Sequence, residues 1–118
     1  MACITLLGLE KDLADSLQGI LQQQGHDVGI TDSIQTMANP GPQIVFAGGD
    51  GPDYRDVVRR IMMSRPGLPV VLVNRHPENA RWLDALELGA ADYCGAPFES
   101  VQVEWVVNSA MREWGAAA

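Results

Sequence analysis

The chain predicts an α/β fold, a (βα)5 doubly wound parallel sheet, and three observations carry that prediction. Short apolar runs alternate with longer stretches of helical periodicity from one end to the other. Two of the runs, 43–47 (QIVFA) and 69–73 (PVVLV), are nearly apolar throughout, as strands buried on both faces are. Glycine and proline stand between the segments, where turns need them. Five strands joined by right-handed crossovers give one sheet covered on both faces.

Residues 3–7 (CITLL) form the first strand. Leu13, Leu17, Ile20 and Leu21 then recur at helical spacing until Gly25, predicting a helix over about 10–24. Residues 27–31 (DVGIT) make a weak second strand, and only 33–38 remain for a short helix before Asn39-Pro40-Gly41-Pro42. The third strand, 43–47, runs into the loop Gly48-Gly49-Asp50-Gly51-Pro52. A helix over about 53–64 turns Val57, Val58, Ile61 and Met62 inward and Arg55, Arg59 and Arg60 outward, with Asp53 and Asp56 as local partners. The β-branched run 69–73 is the central strand. Pro77 and Gly89 bracket a helix over about 77–88, residues 91–95 are a short fifth strand, and 99–114 a last helix.

One domain accounts for 118 residues, and Gly115 with the trailing alanines would begin a linker. The 15 acids against 8 bases leave a net charge of -7, which opposes attraction to phosphate backbones and argues against direct nucleic-acid binding. Cys3 and Cys94 have no metal or redox spacing, and His26 and His76 have no partner at metal-ligand spacing. No apolar run approaches the ~18 residues of a membrane span, and no signal peptide opens the chain, so a cytoplasmic location is expected.

The segments L-P-V-V-L-V-N-R and A-L-E-L-G-A-A-D-Y-C-G-A-P-F, with I-T-L-L-G-L-E-K-D-L near the start, resemble response-regulator receiver domains. The resemblance spans the full length and is strongest over 66–98. It implies a flavodoxin-like sheet in the order 2-1-3-4-5 and a role in bacterial two-component signal transduction. Members take a phosphoryl group from a histidine kinase onto an aspartate closing the third strand. Mg²⁺ is held there by that aspartate and an acidic pair after the first strand. A hydroxyl residue after the fourth strand and a lysine before the fifth-strand proline complete the set. Phosphoryl transfer is mostly positioning and charge neutralisation, so it needs those groups.

Here the matching positions hold Gly8 and Leu9 for the acidic pair, Gly48 for the acceptor, Asn74 for the hydroxyl and Ala96, before Pro97, for the lysine. All five differ. The expectation is a degenerate, or pseudo-, receiver with no catalytic residues, no Mg²⁺ cofactor and a phosphorylation-independent role in binding proteins. Two alternatives stay open: residual phosphoacceptor activity at Asp50, with Glu10 and Arg75 nearby, and small-anion binding by backbone N–H groups of the Gly48–Gly51 loop.

The resemblance also makes Tyr93 the fifth-strand aromatic. On the fourth predicted helix Leu83 and Leu86 point to the core by spacing, leaving Trp82 to one side. On the last helix Val103, Val107, Ala110, Met111 and Trp114 share the buried face, leaving Val101 and Trp105 outside it. Trp82, Tyr93, Val101 and Trp105 are therefore the expected interaction surface, for a protein partner or for self-association.

Overall fold

The computed structural model describes residues 2–34, 43–49, 54–75 and 79–112, the side chains at 79–82 and 85 excepted. Five parallel strands are hydrogen-bonded in the order β2-β1-β3-β4-β5. They are β1 (Cys3–Leu7), β2 (Asp27–Thr31), β3 (Ile44–Gly48), β4 (Val70–Asn74) and β5 (Asp92–Gly95). Four helices are described: α1 (Lys11–Gln23), α2 (Tyr54–Ser64), α3 (Asn79–Leu88) and α4 (Ser100–Ala110). The expected helix at 33–38 falls almost wholly outside the described residues, as do Asp50, Asp53, His76, Pro77 and Trp114.

The period of two along a strand splits the core into two layers. Ile4, Leu6, Ile44, Phe46, Val71, Val73 and Cys94 pack with α1 and α4 on one face. Leu7, Val45, Ala47, Val70 and Leu72 pack with Tyr54, Val58 and Ile61 of α2 on the other. Both faces of β3 and β4 are thus buried, which is why their sequences read as unbroken apolar runs. β2 lies at one edge of the sheet and is poorly buried, which accounts for its weak pattern.

The helix signals held where apolar spacing met a glycine. α1 buries Leu13, Ala14, Leu17 and Leu21. It stops at Gly25, whose φ of 88° suits glycine alone among the common residues there. In α4, Val103, Val107 and Ala110 are buried as expected and Val106 joins them, while Val101 is 79% and Trp105 61% exposed. In α2, Val58 and Ile61 are buried and Val57 is half-buried, whereas Met62, expected to turn inward, is exposed.

α3 departs from the reading. Leu83 and Leu86, expected in the core, are 57% and 40% exposed. The reason lies in Asp84. Its carboxylate faces α2, where it accepts a hydrogen bond from the Tyr54 hydroxyl and pairs with Arg55 Nη2 at 3.3 Å. At roughly 100° per residue, that orientation turns positions 83 and 86 away from the sheet and keeps Leu88, half-buried, on the near side. Arg55 accordingly pairs across helices instead of with a neighbour in its own, whereas Arg60 does pair with Asp56, at 3.1 Å.

Candidate functional site

In a doubly wound sheet the loops at the carboxyl ends of the strands form the working edge, because side chains from several strands converge there. Gly8 follows β1, Gly48 closes β3, Asn74 closes β4, and Ala96 follows β5. The structure therefore brings together the positions that the sequence singled out.

β1 and β3 are paired in register, Leu7 beside Ala47, so the next residues of each meet. Gly8 has φ of 67°. Its carbonyl oxygen would lie only 2.7 Å from a Cβ at Gly48, closer than real Cβ contacts come. Backbone thus fills the place where an acceptor side chain would begin.

Asn74 is 1% exposed and donates from Nδ2 to the Gly49 carbonyl oxygen at 2.8 Å. The Gly49 N–H donates to the Val73 carbonyl oxygen at 2.8 Å. A Cβ at Gly49 would lie 2.7 Å from Asn74 Oδ1, so the loop after β3 lies flat on the Asn74 amide. This pairing was not legible in the sequence, although two adjacent glycines after a buried strand signalled a close approach of some kind.

Arg75, the next residue, reaches the other way. Its Nη2 donates to Asp12 Oδ1 at 2.7 Å and to Glu10 Oε2 at 3.2 Å, bridging the loop after β4 to the start of α1. The guanidinium holds the Asp12 carboxyl below its ordinary range, and Asp12 in turn raises Arg75. Asp12 also sits in the first turn of α1, where a negative charge meets the positive end of the helix dipole. A cleft of about 370 Å³ beside this bridge is bounded by Asp12, Ser16, Arg75, Ala96 and Pro97, with the Ala96-Pro97 peptide cis. Ala96 contributes no charge to it.

Gly8, Leu9 and Gly48 supply no carboxylate, and the neighbouring acids Glu10 and Asp12 are engaged by Arg75. Among the described residues no group of three His, Cys, Asp or Glu is placed to hold a metal. The suggested gathering of Glu10 and Asp50 cannot be followed to its second member, since Asp50 lies outside the described residues. The Gly48–Gly51 loop is described only to Gly49.

Of the expected surface residues, Val101 and Trp105 stand in the open on α4. Tyr93 is half-buried and packs against the core layer on the α2 side of the sheet, while the side chain of Trp82 lies outside the described set. Cys94, on the same short strand, is buried, and burial pushes its thiol up to about 12, so it is inert as a nucleophile at neutral pH. No helix among the described residues is long and apolar enough to cross a membrane.

No family model matches the chain. It is 25% identical over 112 residues to the transcriptional regulatory protein FixJ of Bradyrhizobium diazoefficiens, covering 90% of this chain and 55% of the relative. It is 28% identical over 109 residues to the transcriptional regulatory protein CreB of Escherichia coli, covering 87% and 48%. The chain thus spans about half the length of these curated relatives. Among solved structures, the receiver domain of NtrX from Brucella abortus superposes with a TM-score of 0.83 at 24% identity, covering 93% of this chain and 98% of that one. A response-regulator receiver domain protein from Clostridium thermocellum superposes over the whole of both chains with a TM-score of 0.85 at 19% identity. The solved structures show that the chain has the fold of response-regulator receiver domains, and the curated relatives it resembles are transcriptional regulatory proteins.

Proposed function

We propose that this receiver domain works without phosphoryl transfer, as a protein–protein interaction module in bacterial signal transduction or transcription regulation. The observation that carries the reading is the contact between Gly8 and Gly48. The position where the resemblance calls for a phosphoacceptor has no side chain, and the Gly8 carbonyl oxygen leaves no room for one without a backbone shift.

The neighbouring groups point the same way. Asn74 stands in place of the hydroxyl residue with its amide on Gly49, and Ala96 in place of the lysine provides no cation for a phosphoryl oxygen. Losing one such group from a preorganised site commonly costs ~10²–10³ in rate, and here several are lost together. On this reading the domain is not an enzyme, uses no Mg²⁺, and takes its input from a bound partner in the cytoplasm.

The contact surface on this reading is centred on Val101 and Trp105 of α4, with Trp82 and Tyr93 as the further members named from sequence. Exposed tryptophan supports it, since Trp is enriched where interfaces concentrate their binding energy. The net charge of -7 disfavours a nucleic-acid partner for this domain.

The test is a titration with Mg²⁺ and a phosphoryl mimic followed by amide NMR. The expected result is no saturable shift at residues 8–10, 48–49 and 74–75. Saturable shifts there overturn the reading.

A further inference from the structure

Charge is segregated along this chain. Residues 54–65, which are α2 and the residue after it, carry Arg55, Arg59, Arg60 and Arg65 against Asp56 alone. That segment holds half of the 8 bases, while all the other acids lie outside it. Residues 82–111 are its opposite: they carry Asp84, Glu87, Asp92, Glu99 and Glu104 and no Lys or Arg.

α2 and α4 pack on opposite faces of the sheet, so their outer surfaces point away from each other. Each turns outward one charged residue and two large apolar ones at the same i, i+3, i+4 spacing, which sets the three side chains together on a helix surface. On α2 they are Arg59, Met62 and Met63, all exposed, with Met63 at 76%. On α4 they are Val101, Glu104 and Trp105, also exposed. Arg55 and Arg60 are held by Asp84 and Asp56, but among the described residues neither Arg59 nor Glu104 forms an ion pair. The two stripes match in layout and are opposite in sign.

We propose that the Arg59, Met62 and Met63 stripe of one copy docks on the Val101, Glu104 and Trp105 stripe of a second copy, giving a head-to-tail contact. This rests on the reading of Val101 and Trp105 as a contact surface, and it names a second copy of this chain as the partner. The charges select that occupant. Arg59 meets Glu104, its guanidinium can stack on the indole of Trp105, and methionine thioethers pack well against an aromatic ring. A symmetric pairing of α4 with α4 would instead bring two acidic stripes together, and like charges across an interface are costly. Because the two stripes are different surfaces, the contact does not close on itself, and each copy can hold one neighbour on either side. The net charge of -7 on every copy opposes their approach, so the association is weak and depends on concentration.

The experiment is sedimentation velocity on the whole chain, up to millimolar concentration, with Arg59→Glu and Trp105→Ala. Both substitutions are at exposed positions, and far-UV circular dichroism checks that each variant keeps its fold. The average mass of the parent rises with concentration past that of a dimer. Each variant alone associates at least about tenfold more weakly. An equimolar mixture of the two forms one-to-one pairs and nothing larger, because each variant keeps one intact stripe. A parent that stays monomeric overturns the proposal, as does a mixture that forms no pairs. Loss of association in Trp105→Ala but not in Arg59→Glu also overturns it, while leaving the contact-surface reading of α4 standing. Association unchanged in both variants overturns the proposal and counts against that reading as well.

Discussion

The carbonyl oxygen of Gly8 and the α-carbon of Gly48 are packed so closely that a Cβ on Gly48 would come within 2.7 Å of that oxygen. Gly8 directly follows β1 and Gly48 closes β3, which pairs with β1 in register, so the contact is one of backbone with backbone and cannot be relieved by rotating a side chain. The position is closed by backbone.

Gly48→Ala is therefore expected to destabilise the domain by about 1–3 kcal/mol, the usual range for overpacking in a close-packed setting. Gly48→Asp is expected to lose at least as much and to gain no phosphorylation, because the rest of the set is missing. Urea unfolding of both variants, with a small phosphodonor assay on the second, checks this. A Gly48→Ala variant as stable as the parent contradicts the packing argument.

Asn74 tests the other side of the loop. Asn74→Ala removes the Nδ2 donor from the buried Gly49 carbonyl oxygen, at a cost of about 1–3 kcal/mol. Asn74→Asp is expected to be worse at neutral pH, since it sets a buried carboxylate against a carbonyl oxygen. Burial raises the pKa of such an acid, so the native state of that variant holds its proton more tightly than the unfolded chain does. Its stability should improve as pH falls toward 4, a trend that denaturation at several pH values will show.

Arg75 governs an acid-limb effect. The guanidinium keeps the Asp12 carboxyl below its usual 3.8, so the unfolded chain takes up that proton more readily than the native state. The stabilising contribution is fully present above about pH 4 and disappears as pH falls through the lowered native value. In Arg75→Ala, an NMR titration should find the Asp12 carboxyl back near its ordinary range, with a shallower loss of stability below pH 4. High salt should mute the difference, since both acids are largely exposed.

His26 acts in the range above. Its Nδ1 accepts a hydrogen bond from the Ala2 N–H at 3.1 Å, and burial holds its pKa below 6.5. The neutral ring is the form that fits, so its contribution is present above about pH 6.5 and is lost as pH falls through the native value. His26→Gln should flatten the stability profile between pH 5 and 7. An unchanged slope would assign that region to other groups.

Trp105 separates packing from function. With 61% of its surface exposed, Trp105→Ala should change stability by no more than about 0.5 kcal/mol. On the proposed role it should weaken association with the partner, or self-association seen by sedimentation, by about tenfold or more. A variant that associates as the parent does removes α4 from the surface.

The limits of strands 3–7 and 27–31 matched the reading, the first because its apolar run meets Gly8, and the remaining strands shifted by a residue at most at either end. The exposed position of Val101 and Trp105 was legible because Val103, Val107 and Ala110 already share one face of α4 and leave both to one side. α3 was not legible. Leucines at 83 and 86 look like a core stripe, but the contact that orients the helix is Asp84 with Tyr54, thirty positions away, and a carboxylate gives no periodic signal.

What the sequence by itself determined is the alternating order of strands and helices and the absence of a carboxylate at Gly8, Leu9 and Gly48, because strand period and residue identity are local properties. What only the tertiary structure decided is how the residues at that edge are paired. Gly8 meets Gly48, Asn74 holds Gly49, and Arg75 ties Glu10 and Asp12. Those contacts join residues 25 to 65 positions apart, and only the pairing of parallel strands, which brings their carboxyl ends to one side, sets them face to face.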